Sequence, residues 1–325
     1  MKYANTILDL IGNTPLVKLN NIIKSNNLIL AKLESFNPGG SVKDRIGIKM
    51  IEQAEKEGKI KPGGTIIEPT SGNTGVGLAL ACLLKGYKLI CVILDKAPKE
   101  KIHLLEAYGA KCILCPAEVP PDDERSYYKT AERLSKEIPN SYMPQQYYNP
   151  MNPEAHYLTT GPEIWEQTDH KITHFVCGIG TGGTIYGTAK FLKEKNKNIQ
   201  IIGVDTVGSV YTDYFYKKIL PEPKPYLIDG IGEDMIPGTI DFSYIDSIVQ
   251  IGDKEAYEMT IKLARQEAIL AGSSSGAAVA ATLKIAPSLP EGSIVVVLLP
   301  DSGVKYLSKL NKEWFQKHNF EFPTD

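Results

Sequence analysis

Lys43 occupies a position in which its charged form is disfavoured. It follows the turn-forming run Asn37-Pro38-Gly39-Gly40 and the pair Ser41-Val42. Ser41 with Asp44 reads as a capping box, and Val42, Ile46, Met50 and Ala54 recur at helical spacing, which predicts a helix from Ser41 to near Gly58. Lys43 then lies in the positively polarised first turn beside Arg45, a setting that penalises its ammonium form by about 0.3–1 kcal/mol. A lysine so placed suits a neutral amine or a Schiff base with a carbonyl. A single lysine is far more often a solvated surface group, so this chemistry needs partners elsewhere in the chain.

Three loops supply candidates. Gly178-Ile179-Gly180-Thr181-Gly182-Gly183-Thr184 follows an apolar run and opens a helix-period segment, which makes it an anion cradle of backbone N–H groups suited to phosphate. It also spells G-x-G-x-x-G, with Asp205 closing the next apolar run where a ribose-binding acid belongs, so an NAD-dependent oxidoreductase is an open reading. Pro69-Thr70-Ser71-Gly72-Asn73-Thr74-Gly75 carries more hydroxyl and amide donors than a phosphate loop needs. Its amides, with Ser71 and Thr74, can hold a carboxylate while Asn73 reaches a phenolic oxygen; the plainer reading is a helix cap. Ala271-Gly272-Ser273-Ser274-Ser275-Gly276 is expected to be a third hydroxyl-rich loop. A dinucleotide leaves Lys43 and the Ser71–Thr74 stretch without a role. Pyridoxal phosphate uses them all, since it needs a lysine, a phosphate cradle, a ring-nitrogen partner and a nearby grip for a substrate carboxylate.

The elements that must position these groups follow a βα rhythm. Strands are expected at Thr65–Glu68, Lys88–Leu94, Lys111–Leu114, Thr173–Cys177, Ile199–Val204 and Ile294–Leu299. Helices are expected at Val76–Lys85, Lys99–Tyr108, Tyr127–Lys136, Thr184–Lys193 and onward from Lys254. Continuous apolar strands between helices imply parallel sheets covered on both faces, in an α/β chain of two three-layer αβα domains. The polar, aromatic Gln145–Pro150 segment reads as a connection between domains.

With 325 residues, 42% of them hydrophobic, the chain has material for two cores. Its 36 Lys and Arg against 38 Asp and Glu leave no basic field for nucleic acid or an anionic membrane surface. No apolar run approaches membrane-spanning length and no leader-like segment opens the chain, so a cytoplasmic protein is expected. Five cysteines, several inside apolar runs, suit reduced thiols, and Cys112 and Cys115 share a strand on which they point to opposite faces. No histidine and cysteine spacing indicates a metal site.

Together the Asn37–Arg45, Pro69–Gly75, Gly180–Thr184 and Gly272–Gly276 motifs resemble, in order and over about Ile11 to Leu307, the β-family of pyridoxal-phosphate enzymes that includes cysteine synthase and cystathionine β-synthase. The resemblance implies fold type II (tryptophan synthase β-like), with the cofactor in a cleft and a homodimeric assembly. It divides the chain into a large domain of residues 1–45 and 153–325 and a mobile domain of 46–152. It implies that Lys43 carries the cofactor and acts as general base, that Asn73 binds the ring oxygen, that Gly180, Thr181, Gly182, Gly183 and Thr184 hold the phosphate and that Ser274 faces the pyridine nitrogen. Thr70, Ser71, Thr74 and Gln146 with Tyr147 correspond to the substrate-carboxylate grip.

Within that family, Gly208-Ser209-Val210-Tyr211, Gln146-Tyr147, Pro300-Asp301-Ser302 and Asp229 before Gly230-Ile231-Gly232 resemble cystathionine synthases more than cysteine synthases. Asp229 is one carbon shorter than the usual glutamate, and Glu233 stands in place of a tyrosine. The implied reaction joins serine or O-acetylserine to homocysteine through an aminoacrylate, giving cystathionine. Cysteine synthase, with sulfide as acceptor, is the alternative, and hydrogen-sulfide release from cysteine is an implied side activity. A silent binding module would have lost Lys43. The chain starts close to the core and little follows Asn311, so no haem-binding extension and no regulatory domain are expected.

Overall fold

The computed structural model describes residues 1, 3–70, 72–120 and 123–323. Its strands, in chain order, are β1 Leu16–Lys18, β2 Leu28–Leu33, β3 Thr65–Pro69, β4 Lys88–Leu94, β5 Lys111–Cys115, β6 Ser141–Tyr142, β7 His174–Gly178, β8 Gln200–Thr206, β9 Ser247–Ile251 and β10 Ile294–Leu299. They build a four-stranded sheet in the order β5-β4-β3-β6 and a six-stranded sheet in the order β1-β2-β10-β7-β8-β9. The pairings are parallel apart from β1 with β2. Packing separates the chain into one unit of Met1–Ile11 with Asn37–Asn152 and another of Gly12–Phe36 with Pro153–Asp325.

In the first unit every residue of β3 is buried, and Ile67, Ile90, Val92, Cys115 and Ala131 form a core between sheet and helix. This is the two-sided burial that the apolar runs demand. The helices Lys43–Lys56 and Asn73–Lys85 pack backbone against backbone at two glycines: a Cβ on Gly77 would lie 2.5 Å from the Lys43 carbonyl oxygen, and one on Gly47 would overlap the Gly77 carbonyl carbon. The crossing sets the first turn of the Lys43–Lys56 helix against Gly77, one turn into the other. Gly77→Ala is therefore expected to cost about 1–3 kcal/mol through overpacking against backbone that has no rotamer to yield, read as a lowered urea midpoint at unchanged slope.

The helix starts at Lys43 rather than Ser41, and Ser41 and Asp44 form no capping box. The Gly39–Gly40 turn, with Gly40 at φ 73° and its N–H on the Asn37 carbonyl at 2.8 Å, directs the Gly39 N–H at the buried Asp44, whose Oδ2 accepts it at 2.5 Å. Ser41 Oγ instead accepts from the Lys43 N–H at 3.2 Å.

In the second unit the core gathers residues of β2, β7, β8 and β10 with the helices Asp253–Glu267 and Ser273–Ile285. Ser273 opens a helix where a loop is expected, because the small, fully buried Ala277–Ala281 run behind it draws the serines into the first turn. Strand β2 escapes a hydrophobicity reading because Lys32, buried next to its last residue, donates to the Thr14 carbonyl at 2.7 Å and to Glu163 and Gln167 at 2.8 Å each. All five cysteines are free thiols, and burial pushes Cys82 up to about 12 and Cys91 well above its usual range, so neither is a thiolate at neutral pH. Among the described residues no helix is long and apolar enough to cross a membrane.

Candidate active site

The first unit carries Lys43, Thr70, Asn73, Thr74, Gln146 and Tyr147 of the predicted residues. Lys43 is half-buried at the first position of its helix. Asn73 is the first residue of the next helix, after Gly72, which provides no side-chain cap, and the Gly75 N–H closes the turn on the Gly72 carbonyl at 3.1 Å. Thr70 and Thr74 are buried, and the Gly72 N–H reaches Thr70 Oγ1 at 3.3 Å. The Thr74 hydroxyl donates to Gln146 Oε1 at 2.6 Å, which turns the amide so that Nε2 is its donor side. Tyr147 follows, half-buried. Ser71 lies outside the described residues. The Gln145–Pro150 segment, which ends two residues before the boundary between the units, is an anchored turn: Gln146 is buried, and the backbone N–H groups of Gln145 and Gln146 both end on Glu68.

The second unit collects the others at the carboxyl end of β7. Gly182, at φ 83°, caps the helix Gly183–Lys195 without a side chain. The loop's carbonyls are tied back: Gly180 accepts from the buried Tyr211 hydroxyl at 2.6 Å and Thr181 from Thr239 at 2.6 Å. With no side-chain cap on them, the first-turn N–H groups of this helix suit an anion. Behind them Thr184 Oγ1 lies 3.2 Å from His156 Nε2, and His156 Nδ1 lies 2.9 Å from Thr160 Oγ1. Gly180 must be glycine, since its Cβ would stand 2.5 Å from the Gly230 oxygen. A Cβ on Gly230 would in turn stand 4.0 Å from Ser274 Oγ, so the Gly180–Thr184 loop, the Asp229–Gly232 loop and the start of the helix Ser273–Ile285 meet. Asp229 donates its N–H to Ser273 Oγ at 3.1 Å and pairs through Oδ2 with Lys309 at 2.6 Å.

Asp205 does not act as a ribose acid. It is fully buried, and its Oδ2 accepts the Thr212 N–H at 2.9 Å and the Thr212 hydroxyl at 2.6 Å, while burial raises its pKa against those bonds. A dinucleotide would find that carboxylate already capping the next segment.

Sequence reasoning passed over Glu68, His156, Thr239 and Lys309, and noted Tyr211 only as a subgroup marker. None carries a spacing signal, because each meets its partner through the fold.

The model of the family described as pyridoxal-phosphate dependent enzyme matches residues 7–301. The chain belongs to that family. Pyridoxal phosphate is its cofactor. Among curated relatives it is 48% identical over 326 residues to the cystathionine beta-synthase of Apis mellifera, covering 99% of this chain and 64% of that protein. The chain thus spans just under two thirds of that relative. It is 45% identical to a cysteine synthase of Staphylococcus aureus, covering 94% of this chain and 96% of the relative. Of solved structures, a hydrogen sulfide-producing enzyme from Fusobacterium nucleatum superposes with a TM-score of 0.87 at 43% identity, over 94% of this chain and 99% of that one. An O-acetylserine dependent cystathionine beta-synthase from Helicobacter pylori superposes with a TM-score of 0.86 at 43% identity, over 95% and 99%. The fold is type II of the pyridoxal-phosphate enzymes, and the chain is a pyridoxal-phosphate-dependent enzyme.

Proposed function

We propose that this enzyme joins serine or O-acetylserine to homocysteine, forming cystathionine and releasing water or acetate. The observation that carries the choice of acceptor is the Asp229–Lys309 pair beside Ser273. Two opposite charges complement the ammonium and carboxylate of an amino-acid thiol, and sulfide has neither group.

The residues fit the cofactor. The helix start at Gly182–Gly183, with no side-chain cap and its preceding carbonyls tied away, suits a phosphate, and the half-buried Lys43 supplies a primary amine for the aldehyde. Bound there, pyridoxal phosphate acts as an electron sink that acidifies the substrate Cα–H and eases departure of the β-substituent. Lys43 Nζ takes the Cα proton and returns it after the thiol has added. Asn73 donates to the ring oxygen, Gly180 to Thr184 hold the phosphate, and the Ser274 hydroxyl bonds the ring nitrogen without the charge that would keep it protonated. Thr70, Ser71, Thr74 and Gln146, with Tyr147 beside them, bind the substrate carboxylate. We further propose a homodimer in the cytoplasm, where the free thiols stay reduced.

A second activity is favoured by the likeness to the hydrogen sulfide-producing enzyme: cysteine in place of serine, with sulfide leaving instead of water. The test is product analysis by mass spectrometry, with serine, O-acetylserine or cysteine each offered homocysteine or sulfide. Cystathionine is expected as the dominant product whenever homocysteine is present. Cysteine from O-acetylserine and sulfide, with no cystathionine from any donor, would sink this reading and make the enzyme a cysteine synthase.

A further inference from the structure

Glu68 lies at the carboxyl end of β3 and is 1% exposed. Its Oε2 accepts the Gln145 N–H at 2.8 Å and its Oε1 the Gln146 N–H at 3.0 Å. Gln145 stands in the left-handed region at φ 57°, and its carbonyl accepts the N–H groups of Tyr148 and Asn149 at 2.9 Å each, so the chain doubles back with the carboxylate plugging the turn. The Gln146 carbonyl accepts from Asn152 Nδ2 at 2.8 Å, and its side chain meets Thr74. Among the described residues no cation contributes to the environment of Glu68. A carboxylate buried without a cation is costly, and an uncharged residue would serve stability better. Its presence at this turn points to another role.

We propose that Glu68 is a positioning residue for substrate binding: by accepting both N–H groups it fixes Gln145 and Gln146 and holds the Gln146 amide against Thr74. The proposal rests on the reading of Thr74 and Gln146 as the carboxylate grip.

A pH dependence follows. Burial pushes the Glu68 carboxyl up to about 7 against the two N–H bonds that pull it down. The titratable groups that face it are Cys91, its register partner on β4, and Tyr142 on β6, and burial keeps both neutral around pH 7. Above pH 7 the carboxylate accepts both N–H groups. Below it, a proton takes one oxygen and one N–H loses a charged acceptor, so substrate affinity weakens as pH falls through about 7. Folding stability runs the opposite way. Because the pKa in the fold is raised from 4.5, this group's contribution is fullest below pH 4.5 and is lost as pH rises through about 7.

The test compares wild type with Glu68→Gln. In wild-type protein without cofactor, the amide ¹H–¹⁵N shifts of Gln145 and Gln146 are expected to titrate together between pH 5.5 and 8.5, and not in Glu68→Gln. In the holoenzyme, Glu68→Gln is expected to raise KM for the amino-acid donor about tenfold with kcat within about twofold, and to flatten the pH profile of KM. Static amide shifts in wild type, or an unchanged KM in Glu68→Gln while Gln146→Ala raises it, would overturn the role of Glu68 alone. An unchanged KM in Gln146→Ala would overturn the underlying reading of the grip.

Discussion

Replacing Lys43 with alanine is expected to lower turnover by at least about 10³-fold, because one amine is asked both to carry the cofactor and to move the Cα proton. The fold should survive. Lys43 is only half-buried at the first position of its helix, a site where alanine is well tolerated, and the helix crossing beneath it is made by Gly47 and Gly77 rather than by the lysine side chain. Lys43→Arg should be equally inactive, since guanidinium stays protonated and forms no Schiff base. Borohydride reduction of the holoenzyme followed by peptide mass spectrometry should place the cofactor on the Lys43 peptide in wild type and on no peptide in the alanine variant. Near-normal turnover by Lys43→Ala would remove the lysine from the mechanism.

The reason Lys43 stands out in the sequence is local. A glycine turn, a helix start and a lysine within the same few residues leave little freedom, and the same holds for the Gly180–Thr184 and Thr70–Thr74 loops, whose glycines and hydroxyls follow apolar strands. The six strands read from the apolar runs are equally legible, and Lys88–Leu94 and Ile294–Leu299 match residue for residue. Elements whose composition contradicts their place were not: β2 carries a buried lysine neutralised by Glu163 from far along the chain, and β6 is two residues long. The supports of the site were illegible for the same reason. Glu68 meets Gln145, Tyr211 meets Gly180 and Lys309 meets Asp229 across sequence separations that no spacing rule covers. Asp44 shows the reverse error. A capping box was legible in its spacing, yet the carboxylate turns back to Gly39 because the double-glycine turn exposes a nearer donor.

Asp229→Asn and Lys309→Met are each expected to raise KM for homocysteine about 10–100-fold, or ~1.4–2.8 kcal/mol, while leaving the reaction with sulfide within about twofold. The two side chains are 22% and 23% exposed, between surface and core. A pair so placed contributes at most about 1 kcal/mol to stability, so the fold gains little by keeping it. Its position explains it better. Asp229 is fixed by its N–H on Ser273, next to Ser274, and precedes the Gly230 whose oxygen backs the Gly180 loop, so the charges stand beside the groups assigned to the cofactor. On the proposed reading, homocysteine arriving as a zwitterion is expected to exchange the internal pair for two intermolecular ones, ammonium to Asp229 and carboxylate to Lys309. Removing either partner leaves one end of the acceptor unmatched, and the double variant should cost less than the sum of the two, since both changes disable one binding event. Sulfide has no charges to place and should be indifferent. Equal losses with homocysteine and sulfide would instead assign the pair to holding the Asp229–Gly232 loop, and acceptor choice would then have to be sought in Tyr147 and Glu233.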